Sequence, residues 1–364
     1  MTSQCLISFG SNLGERAALI AEAAKRVSDN PWVRDLRTSR LFETPPIGGP
    51  EGQHPFLNAV AVFDTDASAR QVLELLQATE QELGRQRRER WDARSIDLDV
   101  VLHGELVGGG TGLIVPHPRY TARRFVLEPA CDVAAHYRDP RFGWTLKQLF
   151  DHLNQGPPSL ALLGGDASTR MEICRRLQTE HNIQTFEGPP PPEPMTVVGH
   201  APAIVRSADP KLGSPPPPDS EGRSATENDP PSITPANNSI TPANNSITPV
   251  NNDPWVSAFV PPLPTSPIRQ RNEVQPSKDP REPSVNANPD AKATRGIPRL
   301  IARMQRATEK TRWPAPHQIW PSSLKWPEYR LEIDDLDWAV KEVASALDSM
   351  RCPVTAATTN GDWW

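Results

Sequence analysis

Cysteine is scarce in this chain, and its four copies are scattered at Cys5, Cys131, Cys174 and Cys352. No two of them form a CxxC pair, the spacing that is typical of zinc ribbons and thiol redox sites. Small secreted domains, by contrast, depend on dense disulfide frameworks. The sequence therefore predicts neither a zinc site nor a disulfide-bonded fold, and it indicates a reducing, cytoplasmic location.

Long hydrophobic runs and a strong charge of one sign are also missing from the sequence. No run approaches the roughly 18 apolar residues of a transmembrane helix. The N-terminal MTSQCLISFG lacks the basic start and long apolar core of a signal peptide. The net charge is -5 and the isoelectric point is near 6.0, which gives no general electrostatic attraction to nucleic acid. We therefore expect neither a membrane nor a nucleic acid as a partner.

Proline, in contrast, is plentiful and unevenly placed. Of the 42 prolines, 33 lie in the last 214 residues. The segment 188–294 is rich in proline, serine and asparagine, and it contains the repeats SITPANN, SITPANN and SITPVNN between 232 and 252. It carries too little apolar surface to offset the entropy lost on ordering. We predict a disordered linker at 188–294, which separates a domain at 1–155 and an accessory unit at 156–187 from a C-terminal module at 295–364.

Apolar periodicity divides the first 155 residues into strands and helices. Strand patterns cover Cys5–Phe9, Trp32–Phe42, Phe56–Phe63 and Ser95–Leu102. Helix patterns cover Ala17–Val27 and Ala67–Leu83, with Ser68 as a cap, and a helical tail covers Arg123–Val133 and Trp144–Leu153. The order β-α-β-β-α-β predicts an α+β fold, a ferredoxin-like sandwich with an added helical tail.

The patterns after residue 156 are shorter. A strand, a helix and a strand at 159–165, 167–181 and 184–186 predict a small βαβ-like unit. Its GGDASTR turn is similar to a phosphate loop, but it lacks the GxxxxGK[ST] lysine and has Arg170 as its nearby cation. A degenerate nucleotide-kinase remnant and a structural or docking unit both remain open. The C-terminal module, partly helical at 295–313 and amphipathic at 335–350, is rich in tryptophan and is a candidate to complete this unit.

The stretch 84–102 has the strongest functional pattern. Asp97 and Asp99 lie two residues apart in an apolar run, so a strand would place both carboxylates on one face. Paired acids beside guanidiniums suit a hard cation and the phosphates that it carries. A solvated strand face and a solubilising loop are the alternatives, and Trp91 among the arginines argues against the second. The arginines are Arg85, Arg87, Arg88, Arg90 and Arg94.

The first 153 residues resemble the 6-hydroxymethyl-7,8-dihydropterin pyrophosphokinase family of folate biosynthesis. The matching motifs follow the family's order: GSNLG at 10–14, TPPIG at 44–48, FLNA at 56–59, ELGRQRRERWDARSIDLDV at 82–100 and VPHPRYTARRFVLEP at 115–129. The resemblance implies the ferredoxin-like fold. It also implies transfer of pyrophosphate from the co-substrate ATP to the hydroxymethyl group of the pterin, with release of AMP and with two Mg²⁺ ions.

The resemblance also assigns roles to individual residues. Asp97 and Asp99 would bind Mg²⁺, and Arg85 and Arg94 would be the catalytic cations. The ATP-binding residues would be Gln77, Glu80, Arg87, Arg90, Trp91, Val100, His117 and Arg123, of which Arg87, Arg90 and Trp91 belong to a lid. The pterin-binding residues would be Thr44, Pro45, Pro46, Ile47, Phe56, Asn58 and Phe125. The two phenylalanines offer stacking faces, and Asn58 offers amide hydrogen bonds.

The sequence departs from the family at several of these places. The arginine run is shorter than in relatives, which leaves open whether Arg88 or Arg90 is the lid arginine. Gly112 and Ile114 replace an arginine and a threonine of relatives, and Arg124 is a candidate to compensate. Phe56 stands where relatives more often have tyrosine.

Other classes of function are weighed against this one. The first is a scaffold or regulatory protein that binds pterin and ATP without turnover, and the intact aspartates and arginines argue against it. The second is an RNA-binding ferredoxin-like module, which the net acidity disfavours. The sequence identifies no protein partner for the C-terminal module.

Overall fold

The computed structural model describes residues 2–85, 93–110, 112–187, 253–261, 263–264, 296–306 and 325–364, all of which belong to one unit of the chain. They form a mixed α/β structure. The strands are β1 (Ser3–Ser11), β2 (Arg34–Thr38), β3 (Phe42–Thr44), β4 (Phe56–Thr65), β5 (Asp97–His103), β6 (Gly108–Gly110), β7 (Leu113–Val115), β8 (Ser159–Leu163), β9 (Gln184–Phe186), β10 (Trp255–Ser257), β11 (Leu300–Gln305), β12 (Glu328–Glu332) and β13 (Thr355–Ala356). The helices are α1 (Arg16–Ser28), α2 (Ala69–Glu82), α3 (Arg124–Val133), α4 (Leu146–Leu153), α5 (Ala167–His181) and α6 (Leu336–Arg351), with a 3₁₀ turn at Tyr120–Ala122.

The first sheet has the order β13-β3-β4-β1-β5, and β2 also pairs with β4. Every pair of strands in it is antiparallel. The predicted strand Trp32–Phe42 is two strands instead of one. Asp35 has a left-handed backbone with φ of 52°, and the register shifts between Arg34 and Arg37. Beyond β2, the Ser39 hydroxyl accepts the Val60 N–H at 3.0 Å, so a side chain replaces a strand partner before β3 begins.

Helix caps agree with the sequence. Ser68 caps α2 in a capping box with Gln71, as predicted, and Thr145 caps α4 in the same way with Gln148. Each box satisfies backbone N–H groups that the first helical turn leaves without partners. Asp335 caps α6 by accepting the Trp338 N–H at 3.1 Å. The helices predicted at Ala67–Leu83, Trp144–Leu153 and 335–350 are therefore present with ends shifted by a few residues.

The second sheet is parallel and has the order β12-β11-β8-β10-β9. The accessory unit and the C-terminal module therefore build one sheet together, with α5 following β8 and α6 following β12. The strand β11 corrects the prediction of partial helix for residues 300–305, and residues 307–313 lie outside the described residues. Leu300, Ile301 and Ala302 are fully buried. A strand covered on both faces has a continuous apolar run, and such a run does not distinguish strand from helix.

The linker prediction also needs correction. β10 lies between β8 and β9, and Trp255, Val256 and Ser257 are buried, so the prediction of disorder is wrong for these residues. Three residues that add to an existing sheet gain backbone partners on both sides, a gain that composition alone does not reveal. The rest of 188–294, apart from the short described segments, lies outside the described residues, and for it the linker stays a prediction.

Two apolar cores lie on the two sides of the first sheet. Cys5, Ile7 and Phe9 of β1 belong to the core that contains α1 and α2. Leu6 of β1 belongs to the other core. That core contains α3 and α4, the strands β8, β10, β11 and β12 of the second sheet with the helices α5 and α6, and Trp326. Because this second core is continuous from Leu6 to Met350, the residues after 155 pack directly on the first sheet. Within the described ranges all four cysteines are free thiols, and no helix is long and apolar enough to span a membrane.

The C-terminal residues pack against the edge of the first sheet. β13 pairs with β3, and Ala357 N–H donates to the Leu41 carbonyl at 2.8 Å. The Trp363 indole donates to the Ser39 carbonyl at 2.6 Å and packs edge-on against Phe9, with ring centroids 6.4 Å apart. This C-terminal strap, residues 353–364, therefore covers backbone groups that an edge strand would otherwise expose.

Replacing Gly361 with alanine tests the strap. A Cβ atom at Gly361 would overlap the Thr38 carbonyl oxygen, so we expect Gly361→Ala to displace residues 357–364. The expected loss in unfolding free energy is about 1–3 kcal/mol, the usual range for overpacking. Urea unfolding and limited proteolysis of the C-terminus measure it. Gly108→Ala is the control, because its Cβ would meet a leucine methyl at an ordinary 3.5 Å. Wild-type protease resistance in Gly361→Ala would contradict the assignment.

The buried His152 predicts a loss of stability in acid. Its Nε2 lies 2.9 Å from the Arg299 carbonyl, and its ring packs edge-on against Trp144 and Trp326. Burial lowers the pKa of His152 from 6.5 to about 3. Below about pH 6.5 His152 therefore binds a proton in the unfolded chain but not in the folded chain, and the free energy of unfolding falls from there towards pH 3. Above about pH 6.5 His152 is neutral in both states, so it causes no loss of stability.

Between pH 6.5 and pH 5 this effect amounts to about 2 kcal/mol, at 1.36 kcal/mol for each pH unit. We expect denaturant titrations at several pH values to show a smaller slope for His152→Gln than for the wild type. His136→Gln is the control, because His136 is exposed. An unchanged slope in His152→Gln would show that this histidine does not remain neutral.

Candidate functional site

The register of the first sheet places the central residues of the site in one row. Asn58 pairs with Gly10, and Gly10 pairs with Asp97. In the neighbouring rows Thr44 pairs with Phe56, and Ser8 with Asp99. Residues paired across antiparallel strands point to the same face, so this face carries both aspartates and the amide. It forms the floor of a cleft.

Gly10 keeps the middle of that floor open. A Cβ atom there would lie 3.4 Å from Asn58 Oδ1 and 3.9 Å from the Asp97 Cβ. Any side chain at this position would therefore come between the amide and the carboxylate. The glycine of the GSNLG motif thus keeps open the space between the Asn58 amide and the Asp97 carboxylate.

The cleft brings together most of the predicted pterin residues and part of the predicted catalytic set. Its lining includes Thr44, Pro45, Ile47, Phe56, Asn58, Arg94, Asp97, Asp99, Arg123 and Phe125. Pro46 is half-buried and is not part of this lining. The Asn58 amide donates to the Thr44 hydroxyl at 2.8 Å, which fixes the orientation of both side chains. The cleft therefore offers two aromatic rings and an oriented amide to a flat, polar heterocycle.

Each aspartate has an arginine partner. The Asp97 carboxylate forms ion pairs with Arg85, at 2.7 Å, and with Arg94. Asp99 lies 3.4 Å from Arg123 Nη1 and 3.8 Å from His117 Nε2. The aspartate side chains are 22% and 35% exposed, so both remain accessible from the cleft. Arginine beside carboxylate is an arrangement that an incoming phosphate can enter, because it offers forked donors and metal ligands side by side.

The pair Asp97 and Asp99 suits one kind of metal. Within the described ranges no three or more His, Cys, Asp or Glu side chains are grouped as a metal-binding set. Mg²⁺ binds through one or two carboxylates and takes water and substrate phosphates as its other ligands. Two carboxylates on one face of β5, open to the cleft, therefore fit Mg²⁺ better than a metal that needs an all-protein ligand set.

The end of β1 fixes the position of Arg94. Asn12 is buried, its Oδ1 accepts the Arg94 N–H at 2.7 Å, and its own N–H donates to the Arg94 carbonyl at 3.1 Å. The Ser11 hydroxyl donates to the Ser95 carbonyl at 2.6 Å. The GSN part of the motif therefore holds the chain at Arg94 and directs the guanidinium towards Asp97.

Glu80 has a connecting position between α2 and β5. It is buried, its Oε1 accepts the Leu98 N–H at 2.8 Å, and it forms an ion pair with Arg85. Gln77 is half-buried one turn earlier on α2. Neither residue is part of the cleft lining, so their predicted contacts with ATP stay predictions.

A second, adjoining pocket lies on the other side of Asp99. Its lining includes Asp99, Val100, Gly112, Ile114, His117 and Arg119. The predicted ATP residues Val100 and His117 thus line the same pocket. Gly112 and Ile114, which replace an arginine and a threonine of relatives, line it too. The backbone N–H of His117 donates to the Val101 carbonyl at 2.9 Å, which fixes the loop against β5.

His117 is a neutral hydrogen-bond donor at this place. Burial, followed by the charges of Arg123 and Arg119, lowers its pKa well below 6.5. Its Nδ1 accepts the Arg119 N–H at 3.1 Å, so the ring proton is on Nε2, which faces Asp99. The predicted lid residues Arg87, Arg90 and Trp91, and also Arg88, lie outside the described residues, so the lid stays a prediction.

The C-terminal half of the chain forms one part of the cleft, which no motif predicted. Tyr329, Glu342, Ser345, Ala346 and Ser349 line it there, and Arg119 lines it from the first half of the chain. Arg119 is inside the matched VPHPR motif, and it received no role there. The helix pattern could have pointed to Glu342. Ala339 and Ala346, which lie on the same helical face, are buried, and a single acidic residue on a buried apolar face is unusual.

The GGDASTR turn after β8 does not provide a second phosphate site. Arg170 donates to the carbonyls of Gly164, at 2.8 Å, and Gly165, at 3.0 Å. Asp166 caps α5 by accepting the Thr169 N–H at 2.7 Å, which puts an anion where a phosphate would bind. Of the two alternatives, the geometry favours the structural unit over a working nucleotide site.

Fold and site together define a class of protein that sets paired carboxylates and arginines beside two aromatic rings and an oriented amide. The family model of 7,8-dihydro-6-hydroxymethylpterin-pyrophosphokinase (HPPK) matches residues 6–135. The 2-amino-4-hydroxy-6-hydroxymethyldihydropteridine pyrophosphokinase of Bacillus subtilis is 37% identical over 133 residues, which are 36% of this chain and 79% of that protein. The enzyme of the same name from Pseudomonas aeruginosa is 39% identical over 140 residues, 38% of this chain and 86% of its own.

A third relative is much longer. The folic acid synthesis protein fol1 of Pneumocystis carinii is 37% identical over 147 residues, 40% of this chain, and this chain spans only 20% of its length. The two bacterial relatives, by contrast, are matched over most of their length. The chain therefore belongs to the HPPK family, and the family predicted from the motifs is confirmed.

Replacing Asn12 tests how Arg94 is held. Asn12→Ala removes the acceptor of the Arg94 N–H, so we expect amide hydrogen exchange in residues 93–96 to accelerate at least about tenfold, which corresponds to about 1.4 kcal/mol. Hydrogen-exchange mass spectrometry measures it. Asn30→Ala is the control, because Asn30 makes a similar bond to the Trp32 N–H on the exposed surface. Wild-type exchange in residues 93–96 would show that Asn12 does not hold Arg94.

Proposed function

We propose that this chain transfers pyrophosphate from ATP to the hydroxymethyl oxygen of 6-hydroxymethyl-7,8-dihydropterin, a step of folate biosynthesis. The products are the pterin diphosphate and AMP. The observation that carries the proposal is the row Asn58, Gly10 and Asp97, which places a heterocycle site directly beside paired carboxylates and arginines. Family membership agrees with it.

The pterin binds at the end of the cleft formed by Thr44, Pro45, Ile47, Phe56, Asn58 and Phe125. The rings of Phe56 and Phe125 pack on its faces, and the Asn58 amide and the Thr44–Ile47 backbone bind its polar edge. Arg123 lies over the Phe125 ring at 5.6 Å, so this wall also carries a cation towards the phosphates. Pro46 supports the same loop from outside the cleft lining.

The phosphates bind on the side of Asp97 and Asp99. These carboxylates would hold Mg²⁺, for which we propose two ions. Bound Mg²⁺ supplies charge neutralisation for the phosphate oxygens. Arg85, Arg94 and Arg123 bind the same oxygens through their forked donors and stabilise charge that builds up in the transition state.

The pterin hydroxymethyl oxygen attacks the β-phosphorus of ATP. The bond between that phosphorus and the oxygen bridging to the α-phosphorus breaks, and AMP leaves with the bridging oxygen. The proton of the hydroxymethyl group passes to a carboxylate oxygen of Asp97 or Asp99, both of which face the cleft. Positioning and charge stabilisation therefore provide most of the catalysis, as in phosphoryl transfer generally.

The nucleoside part of ATP binds in the pocket of Val100 and His117, where the neutral Nε2–H donates a hydrogen bond. We assign Gln77 and Glu80 to the same side, and Arg87, Arg90 and Trp91 to a lid. The antiparallel order β3-β4-β1-β5 supports our assignment of the first sheet to the ferredoxin-like class. The cytoplasmic location stays a prediction from the sequence.

The deciding experiment mixes the full chain with ATP, Mg²⁺ and 6-hydroxymethyl-7,8-dihydropterin and measures AMP. The full chain is used because the core continues from the first sheet into the C-terminal half. Folded protein that forms no AMP but binds both ligands would favour the scaffold alternative and overturn the proposal.

Variants of the site should separate its parts. We expect Asp97→Asn and Asp99→Asn to abolish nearly all AMP formation, because each removes a metal ligand. Arg94→Ala should lower kcat about 10²–10³-fold, the usual effect of losing one preorganised charge stabiliser. Asp29→Asn is the control, because Asp29 is an exposed carboxylate that pairs with Lys25 at 2.6 Å. If Arg94→Ala changed only the KM for ATP, its catalytic role would be wrong.

A further inference from the structure

The loop that carries His117 and Arg123 is held by the second sheet. The Arg330 N–H of β12 donates to the Pro118 carbonyl at 3.0 Å. The Thr121 hydroxyl donates to the Glu328 carbonyl at 2.8 Å. Two backbone positions of β12, more than 200 residues away in sequence, thus fix the loop on both sides of Arg119.

Arg119 has a distinctive place in this loop. It lines both the pterin cleft and the adjoining pocket of Val100 and His117. A group that spans the two pockets, as the phosphate chain of ATP must, passes this guanidinium. The Arg119 side chain is 21% exposed, so it is within reach of a ligand.

Glu342 of α6 forms an ion pair with Arg119. Its Oε1 lies 2.9 Å from Arg119 Nε, and it also accepts a hydrogen bond from the Tyr329 hydroxyl of β12. The Glu342 side chain is only 4% exposed. A buried carboxylate held by two partners cannot swing away, so it defines where the Arg119 Nε lies.

The ion pair uses only one part of the guanidinium. Within the described residues the Nε–H has no acceptor in hydrogen-bond geometry, so the contact fixes the position of the guanidinium through charge and leaves its rigid plane of N–H donors to a ligand. A buried ion pair contributes little net stability compared with apolar packing, which makes a purely stabilising role a weak explanation for Glu342. Ser345 and Ser349, on the same helix, line the same cleft.

We propose that Glu342 is a positioning residue for pyrophosphate transfer, which acts by holding the Arg119 guanidinium against the phosphate chain of ATP. The C-terminal half of the chain is then a wall of the active site and not an appendage. The inference rests on the proposed function. It adds a role for Glu342, which lies outside the residues 6–135 that the family model matches.

The test measures steady-state AMP formation by the full chain with ATP, Mg²⁺ and the pterin. We expect Glu342→Gln to lower kcat about 10–100-fold, the usual effect of a misplacement of about 1 Å, with little change in KM for the pterin. Asp348→Asn is the matched control: it makes the same chemical change on the same helix, at an exposed carboxylate paired with Arg351. Thermal unfolding of each variant is measured alongside.

A double-variant cycle separates positioning from stability. Arg119→Gln should lower kcat at least as much as Glu342→Gln, and adding Glu342→Gln to Arg119→Gln should cost little more, because the glutamate acts through the arginine. Equal, additive losses would overturn the inference. So would a wild-type kcat in either folded single variant, and Arg119→Gln decides if Glu342→Gln does not fold. A wild-type chain that forms no AMP would instead overturn the proposed function, and this inference with it.

Discussion

The pairing of β1 with both β4 and β5 is the constraint on which the site depends. It places Asn58, Gly10 and Asp97 in one row, and Ser8 beside Asp99 in the next. A slip of one residue in either pairing would turn the amide or both carboxylates to the opposite face of the sheet. The apolar residues that alternate with them, Ile7, Phe9 and Leu98 among others, prevent that slip because they fill the core of α1 and α2.

Charge compensation is the second requirement of this cleft. Asp97 and Asp99 face a cavity that is partly screened from water, and each has arginine partners. Those same arginines are the groups that phosphates would attract, so ligand binding exchanges one set of ion pairs for another. Glu80 balances Arg85, and Glu342 balances Arg119. Both glutamates are buried, which gives each guanidinium a fixed position before any ligand enters.

Both halves of the chain contribute to the cleft. The first sheet supplies the floor and the metal ligands, and the second sheet holds the 117–123 loop and adds one wall. The C-terminal strap then returns to the edge of β3, the strand that ends at Thr44. Backbone hydrogen bonds from β12 to the loop need no particular side chain, so the contact could form without leaving any motif in the sequence.

The family, the order of the first elements and one part of the cleft lining could be predicted from the sequence itself. Strands and helices with clear periodicity, the Ser68 cap and the DLD pair all depend on local rules, namely alternate faces, caps and charge. Only the tertiary structure decided that residues 255–257 and 300–305 are strands, because a few apolar residues become a strand only when neighbours accept their backbone groups. It also decided that Glu342 meets Arg119. That contact joins residues more than 200 positions apart, and no local pattern encodes which distant surface a helix will cover.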